Sequence, residues 1–393
     1  MKASTVVTIA MLLASLAMAA RAMAEPGVTD TEVLIGSCAA LDGPANFLGQ
    51  QTVLGARAYL QTVNDQGGIH GRKLKLLSLD DSYEPAKAIE CFNRLKQEHV
   101  FAAGFFVGTP TGAKHAPMAE SSKIPIIGLF TGAQLLHEPF KRYVVNVRAS
   151  YYDEAREQVD NLWNALGMRK IAVFYQDDAF GVAVLEGVKL ALAKYNAAPV
   201  ALGSFPRNTL DVGRGLELVR AGAPDAVVMV GPYAPLAEMV KRGRTAGWNP
   251  LYLTVSFVGT EAFIKAAGKD GEGVVITQVV PPPTRADIPT VALYQKALKK
   301  YFPEAQPNFV SLEGYVDAVV MVEGLKRAGR DLTRERLVDA IESIRDLDIG
   351  LGPQLKLSYG PRNHKGFSSV YYTLVRDGRA TVFADWRELQ KTR

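Results

Sequence analysis

The sequence is poor in the residues that most chemistry needs. It holds five histidines, two cysteines and three tryptophans in 393 residues. The histidines, His70, His99, His115, His137 and His364, are scattered without the spacing of a metal site. Neither cysteine belongs to a metal-binding or redox pattern. There is no Gly-x-Ser-x-Gly elbow and no P-loop. The carboxylate pair Asp177-Asp178 has no identified acid–base partner. These gaps argue against an enzyme, and neither a metal nor a cofactor is expected. Charge is not concentrated either. A formal net charge of +5 is small for this length and forms no basic block, so nucleic acid is not an expected partner. Beyond the first residues no apolar run is long enough to span a membrane.

What is present begins with an export pattern. Lys2 supplies a positive start, Val6 to Ala20 an apolar stretch, and Ala22-Met23-Ala24 a small-x-small cleavage site. Residues 1–24 are therefore expected to be a signal peptide, cut near Ala24, with a soluble periplasmic product. A membrane anchor is the rival reading, but the run is short and Arg21 and Pro26 close it. No cysteine stands at the cut, which excludes a lipoprotein signal. Export gives the two cysteines a meaning: an oxidising compartment permits a Cys38–Cys91 disulfide, with two buried thiols as the alternative.

The mature chain is organised around Val33 to Gly55. Val33-Leu34-Ile35 is a strand pattern, Asp42-Gly43-Pro44 a loop, and a helical pattern begins near Asn46 with Leu48, Val53, Leu54, Ala58 and Tyr59 mostly on one face. Strand, glycine-containing loop and helix N-terminus make half of a βαβ unit, and ligands of open α/β sheets bind at the carboxyl ends of such strands. The pattern then repeats. Leu74–Leu79, Val100–Val107 and Ile124–Phe130 read as strands with helices between them. After Arg148 a second series follows, with strands at Ile171–Tyr175, Ala226–Val230, Leu251–Val255 and Val274–Val280. Strands alternating with helices imply parallel, doubly wound α/β sheets, and two series imply two lobes. Pro281-Pro282-Pro283 is a stiff connector. Helices are expected around Val291–Tyr301, Glu313–Ala328 and Thr333–Ser343, the last capped by Thr333. The tail from Leu355 reads as antiparallel strands.

Several segments together resemble one family: IGSCAALDGPANFLGQ, NDQGGIHGRKLKLLSLDDSYEPAKAIE, IPIIGLFTGA, YVVNVRASYYDEA, VFYQDDAFG and PDAVVMVGPYAP. In that order they are similar to the periplasmic solute-binding proteins of ABC importers, of the branched-chain amino-acid type. The resemblance covers Val33 to Trp386. It implies the type I fold, two α/β lobes joined by three crossovers, here near Val147, Thr277–Val280 and Gly350–Leu355. Lobe one would then be residues 25–147 plus 280–352, and lobe two residues 148–279 plus 353–393. The implied partners are a small ligand, an amino acid or related carboxylate, and an inner-membrane ABC permease, with the protein itself a monomer. A sensory receptor module and an amide-like solute are the implied alternatives.

The resemblance also nominates a site. Hydroxyls and N–H groups of the first lobe, in Gly108-Thr109-Pro110-Thr111 and Leu129-Phe130-Thr131-Gly132, would hold the ligand's carboxylate without a buried counter-charge. Leu48, Tyr151, Phe180 and Tyr233 would wall the cleft. Ser256 is the departure. It aligns where amino-acid binders commonly carry an acid for the ligand's ammonium; either Asp177, Asp178 or Glu261 replaces it, or the ligand has no free ammonium and is a hydrophobic or aromatic carboxylate or an amide-like solute. Arg148, at the first crossover, is expected to be structural.

Overall fold

The computed structural model describes residues 25–352 and 355–390, so the expected signal peptide lies outside the described residues. The first lobe is laid down by β1 (Glu32–Ala39), α1 (Asn46–Asp65), β2 (Lys73–Asp80), α2 (Pro85–Gln97), β3 (Ala102–Val107), α3 (Thr109–Ser122), β4 (Ile126–Phe130) and a short β5 (Val144–Val145). The five strands are parallel in the order β2-β1-β3-β4-β5. Every residue of β3 and β4 is buried, which is why both read as unbroken apolar runs.

The second lobe takes α4 (Tyr151–Asn164), β6 (Ile171–Gln176), α5 (Ala179–Ala193), β7 (Leu202–Phe205), α6 (Gly213–Ala221), β8 (Ala226–Val230), α7 (Tyr233–Thr245), β9 (Leu251–Thr254), α8 (Thr260–Ala267) and β10 (Val275–Gln278). The chain returns to the first lobe for α9 (Pro289–Tyr301), α10 (Phe309–Ala328), α11 (Arg334–Glu342) and the small ribbon β11 (Leu347–Asp348) and β12 (Lys356–Leu357). It ends on the second sheet with the antiparallel hairpin β13 (Tyr371–Arg376) and β14 (Arg379–Phe383), in the order β14-β13-β10-β9-β8-β6-β7. Four residues on the sheet edge make β7 too short to stand out in the sequence pattern.

One expected boundary moves. The third crossover does not fall at Gly350–Leu355. Leu355, Leu357, Tyr359 and Phe367 join the first lobe's core. The β11–β12 pairing and a bond from Tyr359 N to Ile344 O hold this stretch on that lobe. The crossover runs from His364 to β13, laced to the first crossover where Asn146 N donates to His364 O and Gly366 N to Asn146 O.

Two contacts fix the cleft-bearing end. Helices α1 and α10 cross so closely that a Cβ on Gly55 would stand 1.8 Å from the Ser311 carbonyl oxygen, and one on Gly314 2.1 Å from that of Thr52. Only glycine permits this approach. On the opposite face of the first sheet, Cys38 of β1 is bonded to Cys91 of α2. That staple closes a loop of 53 residues, and the chain-entropy model puts its worth at about 4 kcal/mol. Replacing both cysteines by serine is expected to lower the unfolding free energy by about that much in urea titration. An unchanged midpoint would remove the staple from the stability of the lobe.

Candidate functional site

The carboxyl ends of the two sheets face one another, and rings from both lobes meet between them. Tyr83 follows β2 and Phe130 ends β4; Tyr151 opens α4, Phe180 lies in the first turn of α5, and Phe257 follows β9. All five are buried. The Phe257 ring centre is 5.9 Å from Tyr83, 5.5 Å from Phe130 and 4.5 Å from Phe180, and Tyr151 is 5.3 Å from Phe180. Tyr83 reaches this position from a left-handed backbone, φ +59°, uncommon for a bulky side chain and frequent at binding sites. Gly108 makes room for it, since a Cβ there would lie 2.2 Å from the Tyr83 ring.

The rim is laced across the lobes as well. Tyr233 Oη donates to Asn46 Oδ1 at 3.3 Å and its ring meets Phe47 edge-on. Leu48 packs against Gly259. From the loop after β7, Arg207 Nη2 lies 2.6 Å from Glu84 Oε2, Arg207 Nη1 donates to the Tyr83 carbonyl at 2.7 Å, and Asn208 donates to Glu84.

Polar groups collect at one end of the ring wall. Thr109 Oγ1 and Thr131 Oγ1 share a hydrogen bond of 2.7 Å, both fully buried. Among the described residues, Tyr151 Oη lies beside Thr131 but completes no hydrogen bond, and Gln176 Oε1 is likewise buried without a donor. Here also is the N-terminus of α3, whose first-turn N–H groups have no acceptors within the helix. Two nominated residues stand apart from this end. Thr111 Oγ1 is spent within its own turn, donating to the Val107 carbonyl at 2.5 Å. The Leu129 side chain points into the core on the other face of the sheet, with Phe106 and Leu136. Gly108 serves through the space it leaves for Tyr83.

Ser256 explains itself through residues distant in sequence. Ser150 and Asp153 form a capping box that starts α4. The first turn of that helix carries Glu154 under Ser256. Glu154 Oε1 accepts from Arg148 Nη2 at 2.7 Å and Ser256 Oγ at 2.9 Å; Oε2 accepts from Ser256 N at 2.8 Å and Thr277 Oγ1 at 2.6 Å. All of its acceptor capacity is used. Arg148 Nη1 meets Glu313 Oε1 of α10 at 3.1 Å, and Nη2 also donates to Ser256 Oγ. The guanidinium lies 5.7 Å from the Phe130 ring centre and 5.4 Å from that of Tyr151. Burial pushes the Glu313 carboxyl up against the pull of Arg148, and burial with Glu313 beside it pushes Asp317 well up too.

None of the three proposed substitutes presents a free carboxylate to the rings. Asp177 is exposed. Asp178 caps α5, accepting from Phe180 N and Gly181 N at 2.9 and 3.2 Å, and takes a bond from Gln176 Nε2 at 2.6 Å. Glu261 is turned to the α10 N-terminus, where it accepts from Phe309 N at 3.2 Å. Sequence reasoning missed Tyr83, Phe257, Glu154 and Glu313. Phe257 had a signal, its place directly after a strand; the carboxylates had none.

Two α/β lobes on a triple crossover, with a buried wall of rings between them, define the architecture of a solute-binding protein. The chain belongs to the periplasmic binding protein family, whose sequence pattern matches residues 32–379, and so to an extracytoplasmic class of protein. Within it the chain is of the Leu/Ile/Val-binding type. A Leu/Ile/Val-binding protein homolog of Brucella suis is 25% identical over 384 residues, covering 92% of this chain and 94% of that protein. An amino acid binding protein of Pseudomonas aeruginosa is 24% identical over 241 residues, and the match spans 64% of its length. The crystal structure of a possible leucine/isoleucine/valine-binding protein from Rhodopirellula baltica SH 1 superposes with a TM-score of 0.87 at 35% identity, covering 94% of this chain and 99% of that one.

Two substitutions test the electrostatics. Glu154→Gln removes one charge from a buried pair and leaves Arg148 under-compensated. A loss of about 3–5 kcal/mol of stability is expected in denaturant unfolding; a loss below about 1 kcal/mol would mean that the pair is not integral. At Glu261, burial pushes the carboxyl up to about 7, partly offset by the Phe309 N–H. The folded protein therefore holds a proton that the unfolded chain releases near 4.5, and stability falls as pH rises between these values. Glu261→Gln cannot titrate and should flatten this fall by up to about 1.4 kcal/mol per pH unit. Equal slopes in urea titrations of the two proteins would contradict this.

Proposed function

We propose that the protein captures a small solute with an aromatic or branched apolar body and a carboxylate, closes its lobes on it, and delivers it to an inner-membrane ABC permease. The rings of Tyr83, Phe130, Tyr151, Phe180 and Phe257 take the apolar body. Thr109, Thr131, Tyr151 and the first turn of α3 take the carboxylate with neutral donors. Closure is a population shift: the ligand contacts both lobes only when they are together.

The observation that carries the ligand class is the saturation of Glu154. A ligand ammonium buried in the cleft needs a carboxylate partner, and leaving it without one costs several kcal/mol. Glu154 is fully occupied by Arg148, Ser256 and Thr277, and Asp178 is occupied by its helix. The ligand this site fits best has no requirement for an ammonium group. The relatives named for leucine, isoleucine and valine support the transport class and an apolar body of that size.

The reading is tested by a thermal-shift screen of the mature protein against small aliphatic and aromatic carboxylates, followed by small-angle scattering with any compound that raises the melting temperature. A stabilising compound should reduce the radius of gyration at saturation; an unchanged radius would remove hinge closure from the account. Thr131→Val is expected to weaken that compound's binding by about 1–3 kcal/mol, the cost of a ligand oxygen left without its donor. Unaltered affinity would take Thr131 out of the site.

A further inference from the structure

A cavity separate from the ring wall lies beside the hinge. Its volume is about 420 Å³, and its lining includes Gln134, His137, Lys141, Arg362, Asn363 and Lys365. We propose that it is a binding site for a small multivalent anion, of the kind of phosphate or a short dicarboxylate. The inference does not depend on what occupies the cleft.

The charges are the first reason. Three cationic side chains line the cavity against one carboxylate, Glu138, which is exposed. Lys141 Nζ donates to the Pro139 carbonyl at 2.8 Å and, among the described residues, reaches no carboxylate within 4.0 Å. Arg362 likewise makes no ion pair among the described residues. The other acids nearby are already engaged. Glu342 is held by Arg142 at 2.9 Å and His364 Nε2 at 3.0 Å, Asp153 by Lys365 at 2.6 Å and by Ser150, and Glu120 by Tyr143 N at 2.7 Å.

The second reason is an unsatisfied group. His137 Nε2 is buried and has no hydrogen-bond partner among the described residues. Burial, followed by the positive fields of Lys365, Lys141 and Arg148 and opposed by Asp153, pushes its imidazole down to about 4. The ring is neutral at physiological pH and sits in a positive field. An anion in the cavity would neutralise that field and pair Lys141 and Arg362, the two cations without a carboxylate partner among the described residues, through the charge-assisted contacts that fix small oxyanions.

The position gives the site a consequence. Lys141 belongs to the first lobe, whereas Lys365 lies in the third crossover and its ammonium also reaches Asp153 in the capping box of α4, the first helix of the second lobe. The bonds of Asn146 that lace two crossovers together run beside it. An anion held here draws on a lysine that bridges the third crossover to the second lobe.

The test is calorimetric titration of the mature protein with inorganic phosphate and, separately, with succinate, each at constant ionic strength set with sodium chloride. Saturable binding of either probe is expected. The double variant Lys141→Ala/Arg362→Ala, both partly or fully exposed side chains, should weaken it by about 10-fold or more. Thr131→Val, in the cleft, should leave it unchanged. Heats no larger than those of the chloride control for both probes would overturn the proposal. So would equal affinity in the double variant, or loss of binding in Thr131→Val, which would place the anion in the cleft. Circular dichroism of each variant separates loss of the site from loss of the fold.

Discussion

One buried guanidinium ties the structure together. Arg148 leaves the first lobe at the first crossover and meets Glu313 of that lobe, Glu154 and Ser256 of the other, and the Phe130 and Tyr151 rings that wall the cleft. Taking such a charge out of water costs several kcal/mol unless pairing and hydrogen bonding replace the lost solvent. Here its partners come from both lobes, so its pairing depends on how the lobes sit. Hinge geometry, cleft wall and buried electrostatics are thus one arrangement. Asp317 lies one turn along α10 from Glu313, and burial and that neighbour push its carboxyl upward.

The cleft follows from this joint. Glu154 is consumed from below, and neither it, Asp178 nor Glu261 offers a free carboxylate to the rings and hydroxyls that meet above it. The rim adds reversible contacts of another kind. Arg207–Glu84 and Tyr233–Asn46 are partly solvated and individually worth little. They suit surfaces that must part to admit a ligand. The hydrophobic meeting of Phe257 with Tyr83, Phe130 and Phe180 supplies a non-directional attraction between the lobes. Buried strands underlie both halves, and the Cys38–Cys91 staple ties the first.

Much of this was legible in the sequence because it is local. Alternating strands and helices, the apolar runs of β3 and β4, the Thr333 cap and the antiparallel tail are all written in contiguous residues. The hydroxyl loop at Thr131 and the ring at Phe180 were visible as strand-end residues. What was not legible is long-range. Ser256 was noticed as a missing acid, but Glu154 stands 102 residues earlier and nothing in its helix marks it as the acid that occupies the place. Tyr83 lies in a turn whose left-handed backbone cannot be read from composition. Thr111 and Leu129 were carried in with their loops, and their directions were set by a helix turn and a strand pleat. The misplaced third crossover has the same cause. A short ribbon, β11–β12, keeps the chain on the first lobe, and two-residue strands leave no periodic trace.

The central claim is that a saturated Glu154 leaves the cleft without a partner for an ammonium group. Calorimetric titration with a matched pair, phenylalanine and 3-phenylpropionate, or the corresponding aliphatic pair, tests it most directly. The deaminated acid is expected to bind at least as tightly as the amino acid. A preference of about tenfold or more for the amino acid, worth about 1.4 kcal/mol, would contradict it and require a carboxylate in the cleft that Glu154, Asp178 and Glu261 do not supply.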